Sequence, residues 1–554
     1  MGKAILKGLV LLICGQTTLL ARPFIFYRGI VNAASFAPQG LPNGAIARGS
    51  IFSIFGRGLG PAGGASATTL PLANTLAGVS IEVCQGALCV PAIPLFVGAG
   101  QINAIMPSSA PLGAVNVRVT FNGEAGNFSP GSVSATGFGT FSIASSGFGP
   151  GIVTNFVSPE QPHVLNSSQA TVKPGQVVTV WGTGLGPALN ADNVAPQPGD
   201  LPVEVEIWVG GAPVTNKIYS GRSPCCAGLD QVVFEIPAGA PTGCYVPVTL
   251  RTARQVVSNS TTIAISADGG PCSDPANPLN AARPGGRIGV VMLNRFHTTA
   301  ALPLNLNLDF TSDLTAAIFQ NEPAGAWHFN RLYSLPPPGA CTTFTAQGAG
   351  LTTELLADLV ASGPRLAAGA QISTTGPLSA ANAAPLPGAR NFYGALLGTD
   401  FGLQPLMSLF FGGGSHRVRG PGGADVGAFQ FDVTPPPQLT WTNRSSLSAV
   451  TRGSPVEVTW TGGDPQGLAV VLGFSRAPLT ASGAGFACVE RAPVGRLTIP
   501  GWVTSHLADG GSGEPDGMVA VVGLPAAATP FAAAGLDLGF GLFASGQIRG
   551  VDFR

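Results

Sequence analysis

The sequence FGRGLGP at residues 55–61 returns as WGTGLGP at residues 181–187. The match extends in both directions. ARGSIFSIFGRGLGP (47–61) aligns with KPGQVVTVWGTGLGP (173–187), and QINAIMPSSAPLGAVNVRV (101–119) aligns with QVVFEIPAGAPTGCYVPVT (231–249). Anchors repeating at nearly constant spacing mark a duplicated unit, here of about 125 residues. The second copy is longer by about four residues, which the spacing assigns to RSPCCAGLD (222–230).

Each copy reads as strands. SIFSIF and VVTVW are β-rich runs leading into a glycine turn, and VSIEVC (79–84) and VEVEIWV (203–209) alternate apolar with polar residues. Gly210-Gly211 after the latter is a hairpin signal. Short strands between frequent turns predict a β-sandwich. The glycine turn itself has two readings. A dinucleotide-binding loop needs a helix directly after the glycines, to aim N–H groups at pyrophosphate. Here Pro61 and Pro187 follow, no helical period begins, and neither copy has the Lys-Ser/Thr of a P-loop. Gly56, Gly58, Gly60, Gly182, Gly184 and Gly186 are therefore read as structural turn residues, permitting positive φ and close strand approach.

The strand–G-x-G-L-G-P turn and the P-x-x-x-P-x-G-x-x-x-V-x-V ending resemble IPT/TIG immunoglobulin-like domains. NAASFAP (32–38), SIFGRGLGP, GQINAIMP, CCAGLDQVVFEIP and GCYVPV are similar to an uncharacterised Solibacter-type domain of secreted acidobacterial proteins. The resemblance covers about residues 28–268. It implies a fold and no reaction.

The termini of the units then follow. Residues 1–21 read as a signal peptide: Lys3 and Lys7, the apolar GLVLLIC (8–14), and a cleavage site after Leu19-Leu20-Ala21. A lipoprotein site at Cys14 has Ile13 where a small residue is needed. The mature chain is expected to begin near Arg22, secreted or at the cell surface, with no membrane span after signal removal. Eight of the nine cysteines remain, an even number that suits disulfides in an exported protein. Cys84 and Cys89 bracket a hairpin-length loop. Cys225 and Cys226 are expected to bond separately to Cys244 and Cys272, because adjacent cysteines share a peptide that resists their pairing. Cys341 and Cys488 pair by elimination.

The expected organisation is all-β: tandem immunoglobulin-like sandwiches at 28–150 and 151–268, a linker at 269–287, a β-rich domain at 288–434 and a further sandwich at 435–554. The boundaries come from Pro/Gly-rich ADGGPCSDPANPLNAARPGGR (267–287) and from VTPPPQLTW (433–441). With 78 Gly and 49 Pro, long helices are excluded. At most one or two short ones fit in the third domain, the clearest at TELLADLVAS (353–362).

Chemistry is sparsely signalled. Charged residues are 10% of the chain and balance at 27 each, so no basic face exists for nucleic acid. His163, His297, His328, His416 and His506 lack a second ligand at metal spacing. Ser415-His416 sits in a glycine-rich stretch without a G-x-S-x-G elbow and reads as a solvated loop. Asp509, Glu514 and Asp516 lie in an acidic loop without calcium-hand spacing, and Asp425 reads as a turn residue. Phe55, Trp181, Trp441 and Trp460 read as core, with a glycan platform as the alternative. No catalytic, cofactor or metal residue is nominated. The expectation is a non-enzymatic exported protein for adhesion, envelope or matrix interaction, binding an unknown protein or glycan at the cell surface. The alternatives are a carbohydrate-binding accessory protein and, less favoured, a secreted hydrolase at 288–435.

Overall fold

The computed structural model describes residues 22–302, 306–347, 363–401, 405–477, 482–510 and 517–554. These are almost entirely strands and their connecting turns. Among them the one α-helix is Gly501–His506, in the last segment of the chain. The helix expected at 353–362 lies outside the described residues.

The first unit packs two sheet layers around one apolar core that includes Phe52, Ile54, Val83, Ile102 and Val117. The long strand Leu88–Val97 pairs in both layers. In the second unit the layers are separate sheets around Val178, Val180, Ile207, Phe234 and Val248. Aligned residues occupy the same rungs. Ile51 lies opposite Ile105 and Phe55 opposite Gln101. Val177 lies opposite Glu235 and Trp181 opposite Gln231. The first strands agree too, with Asn32 opposite Phe52 and Asn155 opposite Val178.

Two departures separate the copies. Val97 pairs with Ile102 across a short turn. Ser220 pairs with Val232, so the equivalent connection is longer and carries Cys225 and Cys226. Strand Gly243–Thr252 also has a bulge between Gly243 and Val246. A bulge re-aims side chains locally. Here consecutive Cys244 and Tyr245 are both buried, in one cluster with Cys272 and against Phe329.

The expected boundary at 434/435 does not divide two sheets. Strand Gly286–Leu302 runs parallel to Leu538–Phe553, from Ile288 opposite Leu538 to Thr299 opposite Arg549. Cys341–Gln347 pairs with Ser482–Arg491. One 15-stranded sheet therefore takes strands from both sides of the proline run. Burial explains it: Val291, Leu293 and Phe319 from one segment share a core with Phe531 and Phe543 from the other. The sheet folds back on itself at one end, where Phe431 stacks on Phe531 with ring centroids 4.8 Å apart. A small sheet of Leu439–Trp441, Val456–Gly462 and Arg496–Ile499 covers the other region, with Trp441, Trp460 and Trp502 in its core. Residues 269–287 are packed down rather than free. Leu279 and Ala282 are buried, and the Asn277 side chain donates to the Tyr333 carbonyl at 2.6 Å.

Candidate binding cleft

The glycine turns are filled by the protein itself. In the second copy Asp230 accepts hydrogen bonds from the N–H groups of Gly184 (2.7 Å) and Leu185 (2.8 Å). That is the position a phosphate would take in a nucleotide-binding loop. Arg222 pairs with Asp230 and donates to the carbonyls of Gly49 (2.7 Å) and Gly186 (2.6 Å). The turn thus locks the second unit to the first. Burial pushes the Asp230 carboxyl up, while Arg222 and the two amides pull it down. In the first copy the Leu59 N–H, which matches that of Leu185, donates to the Ala99 carbonyl instead. Positive φ occurs at Gly58, Gly184 and Gly186. At Gly56 and Gly182 the requirement is close approach: a Cβ would collide with the Phe24 carbonyl, and with Phe138 and the Gly139 carbonyl, respectively.

The cysteines bond as Cys84–Cys89, Cys225–Cys226, Cys244–Cys272 and Cys341–Cys488. The pairing of Cys225 with Cys226 corrects the expectation that they reach Cys244 and Cys272 separately. The bulged strand already brings Cys244 within 5.2 Å of Cys272, Cα to Cα, and the loop holding Cys225 and Cys226 is exposed elsewhere.

The histidines are scattered. His163 packs edge-on to Trp181, and His297 Nε2 lies 3.0 Å from Asp309 Oδ1. His416 is not in a solvated loop. It starts strand His416–Gly420, fully buried against Phe410 and Phe411, because apolar rings fill the fold-back there. Asp425 accepts from the Ala367 N–H at 2.8 Å, in a turn. Asp509 faces Arg452 at 3.4 Å, and Glu514 and Asp516 lie outside the described residues. Among the described residues no group of three or more His, Cys, Asp or Glu is arranged to hold a metal ion.

One polar cluster escaped sequence reasoning. Glu322 accepts from Tyr333 Oη, Gln320 and Asn330, and lies 2.9 Å from His328 Nε2. All five side chains are buried, and the space that His328 borders is about 10 Å³, too small for a substrate. The partners lie on one strand and the turn after it, and nothing in their spacing marks them.

A larger cavity lies elsewhere. About 420 Å³ opens between two sheet edges, the first strand Phe24–Asn32 and the strand Cys341–Gln347. The inter-unit segment around Phe148 and the helix Gly501–His506 close its sides. Its walls hold two guanidiniums. Arg331 lies over the Phe148 ring, 3.5 Å from the centroid, and burial pushes it down to about 10, so it stays charged at neutral pH. Arg28 lies over Tyr27 at 4.9 Å. Asn43 also lines the cavity, 7% exposed, with neither side-chain polar atom hydrogen-bonded. His506 is held down to about 4 by burial, so it is neutral. Among the described residues no Asp or Glu lines the cavity. Tyr27 is 77% exposed at the rim and Phe26 45%. Phe55 lines the cleft half-buried, whereas Trp441 and Trp460 are core and half-buried Trp181 donates to Thr154 at 3.2 Å.

No family model and no curated protein matches the chain. Solved structures match at low similarity. A Gamma-CGTASE from alkalophilic Bacillus clarkii is 11% identical, with TM-score 0.16, covering 50% of this chain and 35% of that one. The chain thus spans about a third of that protein. Domains 5-6 of the S-layer protein SbsC are 10% identical, with TM-score 0.16, covering 44% and 98%. A Bacteroides ovatus SGBP-B in complex with a mixed-linkage heptasaccharide is 12% identical, with TM-score 0.13, covering 84% and 87%. At these scores the likenesses carry no functional argument.

Proposed function

We propose that this chain is an exported, non-enzymatic binding protein of the envelope or extracellular matrix, whose packed β-sandwiches form a ligand cleft where they meet. The observation that carries the reading is the 420 Å³ cleft, walled by aromatic rings and two arginines and free of carboxylates among the described residues. Among the described residues the cleft holds no carboxylate pair of the kind that cleaves glycosides. His506 is buried and neutral, and the side chains of the Glu322–His328 cluster are buried, His328 bordering a space of only about 10 Å³. Export is supported by four disulfides, which persist in oxidising compartments, together with the leader-like residues 1–21. No helix among the described residues is long and apolar enough to cross a membrane. The reading keeps residues 28–268 as two IPT/TIG-like units of the Solibacter-type domain, supported by their matched ladder registers.

A carbohydrate-binding role is the second reading, favoured by Tyr27 and Phe26 exposed at the cleft mouth. Exposed rings of this kind suit the apolar faces of sugars. The test is a glycan and matrix-protein array with the secreted protein, repeated with Tyr27→Ala. Reproducible binding reduced by that change supports the cleft. Binding that is unaffected by it moves the function to another surface. N-terminal sequencing of the same protein is expected to start near Arg22, and a lipid-modified Cys14 would overturn the soluble form of the proposal.

A further inference from the structure

We infer that the cleft recognises a carboxylate-bearing sugar, a uronic acid residue of an acidic glycan, with Arg331 as the anion contact and Tyr27 as the stacking platform. The inference rests on the binding reading above and specifies its ligand.

Charge is the first argument. Arg28 and Arg331 line the cavity with no acidic side chain of the described residues among its walls. The Arg331 guanidinium lies against the Phe148 ring, and its Nε is buried without a hydrogen-bond partner. A desolvated guanidinium offers a planar fork of donors that fits a carboxylate in two parallel hydrogen bonds. Leaving a buried donor such as this Nε unpaired is costly, so an anion gains more here than in water.

The neutral polar groups form the second argument. Asn43 is buried with both its amide nitrogen and its oxygen unsatisfied at the cavity wall. A carboxamide with both ends free pairs with a group that is donor and acceptor at once, which a sugar hydroxyl is. Thr345 adds further polar wall. A volume of 420 Å³ accommodates one or two sugar rings, at the small end of ordinary ligand pockets, which run about 300–1,000 Å³.

A peptide is less well matched. Peptides dock at sheet edges by extending the ladder, and both long walls are edge strands. The first strand, however, carries a register shift between Ile25 and Ile30, with Arg28 at φ 58°. A bulge breaks the row of N–H and C=O groups that an added strand needs. Thr343 of the opposite edge is engaged, its N–H donating to Ser260 Oγ at 3.1 Å.

The test uses the full secreted protein and isothermal titration calorimetry with three probes: trigalacturonate, its methyl ester, and an acidic peptide of equal charge. Trigalacturonate is expected to bind at least about tenfold more tightly than its ester, the factor of one charge-assisted hydrogen bond. Arg331→Gln is expected to remove that preference, and Tyr27→Ala to weaken both sugars by about tenfold. Tyr27 is exposed enough that its loss leaves folding intact, so the second variant decides if the first does not fold. Equal binding of acid and ester would overturn the carboxylate inference while sparing the glycan-binding reading. Peptide binding without sugar binding would overturn it in favour of a protein partner. Absence of binding by all three would overturn it outright.

Discussion

Arg222 and Asp230 form an ion pair sealed from solvent, with side chains 2% and 0% exposed. The pair holds the second glycine turn and reaches across to Gly49 of the first unit. Removing one partner of a buried pair leaves an uncompensated charge, which costs about 3–5 kcal/mol. Asp230→Ala is expected to lose that much in urea unfolding. Arg222→Met combined with Asp230→Leu is expected to lose less than the sum of the single changes. Additive losses would show that the two side chains act independently.

Glycine substitutions should separate by cause. A Cβ at Gly182 would collide with the Phe138 ring and the Gly139 carbonyl. Overpacking of that kind costs about 3 kcal/mol. At Gly86, φ is +59° and the space a Cβ would enter is open, with nothing within 4 Å. Gly86→Ala then costs only about 1 kcal/mol of left-handed backbone strain. Denaturant midpoints for the two variants test the order, and a reversed order would remove the close-approach explanation for the G-x-G-L-G-P turn.

Part of this fold is legible in local patterning. Alternation in VSIEVC marks a strand whose Val79, Ile81 and Val83 are buried, and alternation in VEVTW marks one whose Val458 and Trp460 are buried. Period-two patterning dictates which face meets the core. What local patterning does not carry is non-local. The parallel pairing of Ile288 with Leu538 joins segments that hold no mark of each other, so the proline run at 435–437 reads as a domain boundary. The cleft is hidden for the same reason: Tyr27, Phe148, Arg331 and His506 come from four separate stretches of chain. Asp230 offers a signal that was there to be used. It stands in the second repeat where the first has Gly100, and its carboxylate accepts from the N–H groups of the turn.

The disulfides differ in the loop they close. Cys341 and Cys488 are 147 residues apart in sequence and face each other across paired strands, whereas Cys84 and Cys89 are 5 apart. Chain-entropy reasoning gives about 5 kcal/mol for the long loop and about 2 kcal/mol for the short one. Replacing both cysteines of each pair with serine should therefore lower the thermal midpoint more for the Cys341 pair. Non-reducing peptide mapping is expected to recover Cys225 joined to Cys226. A peptide linking either residue to Cys244 or Cys272 would refute the pairing described above.

His506 ties stability to pH. Burial holds its folded-state value down to about 4, against about 6.5 for an exposed histidine. The unfolded chain therefore binds the proton more readily. Stability from the neutral, buried ring is complete above about pH 6.5 and is lost as pH falls toward 4. The shift corresponds to about 3 kcal/mol across that window. His416, also buried and lowered, contributes in the same direction. His506→Gln should lower stability at pH 7 but flatten its decline between about pH 6.5 and 4, because glutamine does not titrate. Urea midpoints at closely spaced pH steps measure the slope for both proteins. An unchanged slope in the variant would mean that His506 does not carry the acid sensitivity.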